Sequence, residues 1–156
     1  MPFPASIKCC IPSRQSSLSQ RKEASKRQQD IGAKTYEVNV ITCAAPNLRE
    51  HPTNAYNVGD GSCAVQITDK ELLELHEKRL RRILDVAVME GNEAIILGVF
   101  GCGAFSNNPQ VVAQAAKNVT KEYLHAFKNI EFAVYCSPWD ERNYRVFERM
   151  LGCFCS

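Results

Sequence analysis

The wholly apolar run Ala94-Ile-Ile-Leu-Gly-Val99, followed by a glycine-rich loop and then by Asn108-Pro109, constrains this chain more than any other stretch. A short unbroken apolar run suits a strand covered on both faces. An asparagine followed by proline supplies an N-cap and a first helical residue whose missing N–H costs nothing. The loop therefore joins a buried strand to a helix expected from Pro109 to about Phe127.

The neighbouring segments fit the same plan. Thr68-Asp-Lys-Glu71 is a capping box. Behind it Leu72, Leu73, Leu80, Ile83, Leu84 and Ala87 form one apolar stripe that ends near Gly91. Glu131 to Cys136 reads as a strand, and Asp140 to about Leu151 as an amphipathic helix burying Tyr144, Phe147 and Leu151. Upstream, Tyr36 to Cys43 alternates and then turns apolar, as a strand entering a sheet should, and Ala44-Ala45-Pro46-Asn47 ends it. The order is βαβαβα, which predicts an α/β fold of about three mainly parallel strands with flanking helices. Ligands of such sheets collect at the carboxyl ends of the strands, here 44–48, 100–108 and 137–143.

The rest of the chain narrows the function classes. Residues 1–35 hold seven Lys/Arg against two Asp/Glu, so the overall charge of +2 leaves the remainder at 12 minus 15, or −3. A mildly acidic body argues against nucleic acid as a partner. No apolar run is long enough to span a bilayer, which points to a cytoplasmic, non-membrane protein. Residues 1–34, with three prolines, six serines and almost no apolar periodicity, are expected to be a disordered tail ahead of a domain at 35–156. The tail's basic, Ser-rich character also suits organellar targeting. Residues 48–66 read as a long surface loop. Of the eight cysteines, Cys43, Cys102 and Cys136 fall in or beside core-like strands, and no pair has zinc-site spacing, so no metal and no resident cofactor is expected.

The loop Gly98-Val-Phe-Gly-Cys-Gly-Ala-Phe-Ser-Asn-Asn108 carries the chemistry. Three glycines before a helix N-terminus let backbone N–H groups converge on an anion, and a phosphate is the natural occupant. The plainer reading is a glycine-eased turn without a ligand. Familiar phosphate loops fit poorly. A Walker loop needs Gly-Lys-Ser/Thr where Ala104-Phe105 stands, and a dinucleotide fingerprint needs a third glycine at Ser106. A nucleophile elbow on Cys102 needs glycine at Phe100. An NAD-type site is the runner-up on spacing alone.

Ile41-Thr-Cys-Ala-Ala-Pro-Asn47, Arg79-Leu-Arg-Arg-Ile-Leu84 and above all Leu97-Gly-Val-Phe-Gly-Cys-Gly-Ala-Phe-Ser-Asn-Asn-Pro109 resemble the second half of the microbial-type poly(ADP-ribose) glycohydrolase family. The match covers about Tyr36 to Leu151. The resemblance implies a partial macrodomain that takes ADP-ribose or an ADP-ribosylated protein, with the diphosphate held by Gly98, Val99, Phe100, Gly101, Cys102, Gly103, Ala104 and Phe105. It sets Phe105 against a ribose; the alternative is a core plug under the loop. Asn107 is either a ligand contact or a cap of the turn. Asn47 and Asn143 would line the nucleoside half, where Asp140 and Trp139 have equally good roles as an N-cap and a lid over the core. The family's Gly-Gly-Gly…Gln-Glu-Glu segment, which carries its catalytic glutamate, is absent, so no catalytic residue is assigned here. A sheet shortened in this way leaves an edge open to a complementing chain or a second copy.

Overall fold

The computed structural model describes residues 38–52, 63–135 and 139–152. Residues from Cys43 onward belong to one compact unit, and residues 38–42 to another. In order, the elements are α1 (Asp69–Met89), β1 (Ala94–Gly98), α2 (Pro109–Tyr123), β2 (Asn129–Ala133) and α3 (Arg142–Leu151). This is an α/β arrangement, and a partial one.

Helix α1 starts where the sequence says it should. The Thr68 hydroxyl accepts from the Glu71 N–H at 3.3 Å, and the Glu71 carboxylate accepts from the Thr68 N–H at 2.9 Å, so two otherwise orphaned donors are satisfied reciprocally. The helix buries Leu72, His76, Leu80, Leu84 and Ala87. It stops at Gly91, whose φ of +70° only glycine adopts without strain, and Asn92 returns both its N–H and its side-chain amide to the Ala87 carbonyl at 3.0 Å.

Strands β1 and β2 pair in parallel, Ile95 opposite Ile130 and Leu97 opposite Phe132. Those four side chains share one face, against which the helices pack; Ile130 and Phe132 are fully buried there. Between the strands runs α2, with Asn108 capping the Gln110 N–H at 3.1 Å and Pro109 at the first turn. Its buried residues Val112, Ala113, Ala115, Ala116, Val119 and Thr120 are small, which lets α1 and α3 both approach it closely. Arg81 of α1 forks onto Glu122 at 2.8 and 2.9 Å while also reaching Glu77, and Tyr123 donates to Asp85 at 2.6 Å. Helix α3 closes the core with Phe147, tilted against Phe132 at 6.1 Å, and with Leu151.

Four sequence expectations are corrected. Residues 38–43 form no strand, and among the described residues the sheet has two strands rather than three. Val38 and Val40 are exposed: alternation makes a segment competent to pair, and pairing still requires a neighbouring edge. Cys43 is exposed for the same reason. Nor is β1 covered on both faces, because Ile96 is 70% exposed opposite the helices. Boundaries also move inward: α2 ends at Tyr123, β2 at Ala133, and α3 begins at Arg142 with Glu141 as an N-cap that makes no side-chain cap bond. Residues 1–34, most of the 48–66 loop and residues 136–138 lie outside the described residues, and with them the expected tail and Cys136.

Candidate functional site

The carboxyl end of β1 runs directly into the glycine loop, and the loop is organised around one side chain. Asn107 is 2% exposed. Its amide nitrogen donates to the carbonyls of Pro46 at 2.7 Å, Gly101 at 3.0 Å and Phe105 at 3.1 Å. Its own N–H donates to the Gly101 carbonyl at 3.1 Å, and the Leu48 N–H donates to the Phe105 carbonyl at 3.0 Å. The Ala-Ala-Pro-Asn segment and the glycine loop are thereby fixed to each other, though 61 residues separate Pro46 from Asn107. Of the two sequence readings of Asn107, this geometry is that of a structural tie, since its amide donors are consumed inside the protein.

The remaining atom of that amide, Oδ1, lies 2.8 Å from Nε2 of His76. Three carbonyls on the nitrogen side fix which atom of the amide is which, so Oδ1 accepts and His76 Nε2 carries the proton. His76 Nδ1 is then an acceptor, buried and without a hydrogen-bond partner among the described residues. Burial holds the His76 pKa below the ordinary imidazole value; the Asn107 hydrogen bond opposes that shift and the Arg79 charge adds to it. Phe100 meets the imidazole edge to face at 5.5 Å. Arg79, one turn along, donates to the Ala44 carbonyl at 2.7 Å, so α1 holds the same Ala-Ala-Pro-Asn segment from a second point.

Gly101 is the one loop glycine that the backbone demands. Its φ is +84°, and a Cβ there would sit 2.8 Å from the Asn107 amide and 2.9 Å from the Ala45 methyl. Gly98 and Gly103 have open space where a Cβ would go. The left-handed φ of 56° at Ser106 completes the turn, whose N–H returns to the Gly103 carbonyl at 3.0 Å. Among the described residues the N–H groups of Gly103, Ala104 and Phe105 donate to no backbone acceptor, and Gly103 and Ala104 are exposed. Three consecutive donors of this kind are what an anion needs.

Phe105 is half-buried, with the Arg49 guanidinium 5.5 Å from its ring centroid. Arg49 is positioned in turn by Asn47 Oδ1 at 2.9 Å and the Pro52 carbonyl at 2.7 Å. Asn47, Phe105 and the loop thus share one neighbourhood. Asn143 at the start of α3 reaches the Cys102 carbonyl at 3.5 Å. Asp140 does not join them: it clamps Arg142 at 2.7 and 2.9 Å and accepts from the Arg142 N–H, and that pairing holds its carboxyl near pKa 2. With Trp139, Glu141, Arg142 and Arg145 it borders an open hollow of about 560 Å³. Val99 and Phe100 pack against the core from the start of the loop, as does Cys102, whose thiol pKa burial pushes up to about 12. A thiol so held is no nucleophile at neutral pH.

Two residues of this site, His76 and Arg49, were not singled out by sequence reasoning, and Arg79 was named only as the start of a motif, without a role. His76 left a readable signal. It occupies the fourth position after Leu72 and the fourth before Leu80, inside the buried stripe, where a polar ring must find a partner.

The fold is similar to that of solved structures. The poly(ADP-ribose) glycohydrolase of Deinococcus radiodurans in complex with ADP-ribose matches 55% of this chain at 31% identity and a TM-score of 0.51, over 35% of its own length. Its apo form matches at 30% identity over 56% of this chain and 36% of its own, with a TM-score of 0.52. Over about 55% of its length this chain is built like part of a microbial poly(ADP-ribose) glycohydrolase. The glycohydrolase of Thermomonospora curvata agrees, at 25% identity over 54% of this chain and 32% of that one, with a TM-score of 0.51. The chain thus spans about a third of the length of the glycohydrolases it matches. No family model and no curated protein matches it. Among the described residues no helix is long and apolar enough to cross a membrane, and no group of three or more His, Cys, Asp or Glu could hold a metal ion.

Proposed function

We propose that this chain binds ADP-ribose, free or attached to protein, with the diphosphate on the N–H groups of residues 103–105 and Phe105 against a ribose. The observation that carries the reading is the glycine loop itself: three adjacent exposed or half-buried donors before a helix N-terminus, in a chain 31% identical over 55% of its length to a glycohydrolase that holds ADP-ribose. Gly98 to Gly101 set the path of the loop, and Cys102 contributes packing and a carbonyl to Asn143. Asn47 and Asn143 lie beside the loop, Asn47 through Arg49 and Asn143 through the Cys102 carbonyl. Asp140 is assigned to the α3 turn, because both its oxygens are committed to Arg142.

We assign binding rather than cleavage to these residues, because the sequence has no Gly-Gly-Gly and no Glu-Glu pair and, among the described residues, no carboxylate is hydrogen-bonded to the loop. Binding without turnover is therefore the activity assigned. Titration calorimetry of the whole chain with ADP-ribose tests it, alongside an assay for ADP-ribose released from the polymer. Heat with ADP-ribose and no release is expected. A folded chain that gives no heat at millimolar ligand would end the proposal.

A second reading has one observation in its favour. The glycohydrolases it matches are about three times longer than the stretch it covers, and here Ile96 leaves a sheet face open. Under that reading a further segment or chain supplies the rest of the fold, and with it the hydrolytic acid.

A further inference from the structure

The histidine at the back of the loop has a feature that core packing alone does not require. His76 is fully buried, its Nε2–H is spent on Asn107, and among the described residues its Nδ1 has no donor. Asn107 is the hub that holds the Pro46, Gly101 and Phe105 carbonyls, so anything that displaces the imidazole displaces the loop and the 44–47 segment together. Neither 98–108 nor 44–48 contains an acidic residue, and the charge acting on the imidazole is Arg79 of its own helix. A proton on Nδ1 would create a buried cation beside a second cation, with no carboxylate partner for it among the described residues.

From this we infer that His76 is a positioning residue for ligand binding, acting through Asn107, and that the loop grips its anionic ligand only while the imidazole is neutral. The inference rests on the ADP-ribose reading above and adds the control of that site. Protonation and ligand binding are then antagonistic, because a ligand that needs the loop in place stabilises the neutral imidazole, and the coupling must run both ways. The sign distinguishes this role from a direct one. A histidine that touched the diphosphate would bind it better as a cation, so affinity would rise in acid. One that works by holding Asn107 makes affinity fall in acid, and the diphosphate keeps its own charge over this range.

The test uses the whole chain and two measurements. Calorimetric affinity for ADP-ribose is expected to be level above pH 6.5 and to fall as the pH drops through the lowered His76 pKa, by at most about tenfold per pH unit. In His76→Gln, whose amide still donates to Asn107 Oδ1 and does not titrate, the profile should be flat. Independently, an NMR titration of the unaltered chain should show the His76 pKa falling further when ADP-ribose is added. Affinity that is flat or rises in acid, or a His76 pKa indifferent to ligand, overturns the positioning role and leaves ADP-ribose binding standing. A chain that binds no ADP-ribose at any pH overturns both.

Discussion

At the scale of single residues, Gly101, Asn107 and His76 are bound to one another so closely that each predicts the cost of the others. Asn107→Ala leaves the Pro46 carbonyl and the imidazole N–H without partners and takes one of two hydrogen bonds from the Gly101 and Phe105 carbonyls, and a loss of about 2 to 3 kcal/mol of stability is expected in urea unfolding. Gly101→Val should lose both stability and ADP-ribose binding, because its Cβ meets the Asn107 amide and its φ is left-handed. Gly103→Ala, with open space and no positive φ, should leave the melting temperature unchanged. Equal damage at both glycines would mean that the loop is not held as described. Acid acts on the same hub. His76 has a folded pKa below 6.5, so the unfolded chain takes up a proton that the folded chain refuses. This group therefore costs nothing above about pH 6.5 and reduces stability as pH falls below it, and His76→Gln should remove that component of the acid slope. The sequence showed that the loop mattered and could not show which glycine mattered. Three glycines look alike in a string; only the path of the chain puts Ala45 and Asn107 against one of them. Asn107 itself could be named but not interpreted, since its partners lie up to 61 residues away.

At the scale of elements, legibility followed from how local the cause was. The start of α1 is written in four residues, Thr68 to Glu71, and the α2 start in two, Asn108 and Pro109; both are where the sequence placed them. Strand residues 38–43 failed because a strand is defined by its neighbour, and a single alternating segment carries no information about whether that neighbour exists. The helix pairing could be anticipated only in outline. The row of alanines on α2 sits between α1 and α3, and its closeness is what the small side chains permit. Enlarging Ala115, which has no exposed surface, to Leu should cost about 1 to 3 kcal/mol through overpacking, measured as a lower urea midpoint. Thr68→Ala should cost about 1 kcal/mol at the exposed α1 cap. If Thr68→Ala proved the more damaging of the two, the core assigned between these helices would be wrong.

At the scale of the whole molecule, the helices and the buried face of the sheet make a self-consistent half-layer, and the opposite face is where the assignment of function is exposed to refutation. Ile95, Leu97, Ile130 and Phe132 point into the helices; Ile96 points away, 70% exposed, opposite Glu131 across the strand pair. A β-branched apolar side chain in mid-sheet with this much surface gives the chain little stability by itself. Ile96→Lys should therefore leave the melting temperature of the isolated chain within about 2 °C, since surface changes of this kind move stability by a few tenths of a kcal/mol. It should behave differently if another chain or a second copy covers that face, because a lysine there would have to be desolvated without a partner. Sedimentation of the unaltered chain over a concentration series, with the variant beside it, separates the two readings of function. If the unaltered chain associates and the variant stays monomeric, the open sheet face is an interface and the second reading, in which another chain completes the fold, gains its first direct support. If both remain monomeric at every concentration and still bind ADP-ribose equally, the chain is a self-sufficient binder with one bare sheet face. If Ile96→Lys instead unfolds the monomer, that face is already covered within the chain, and the placement of β1 as half-exposed is mistaken.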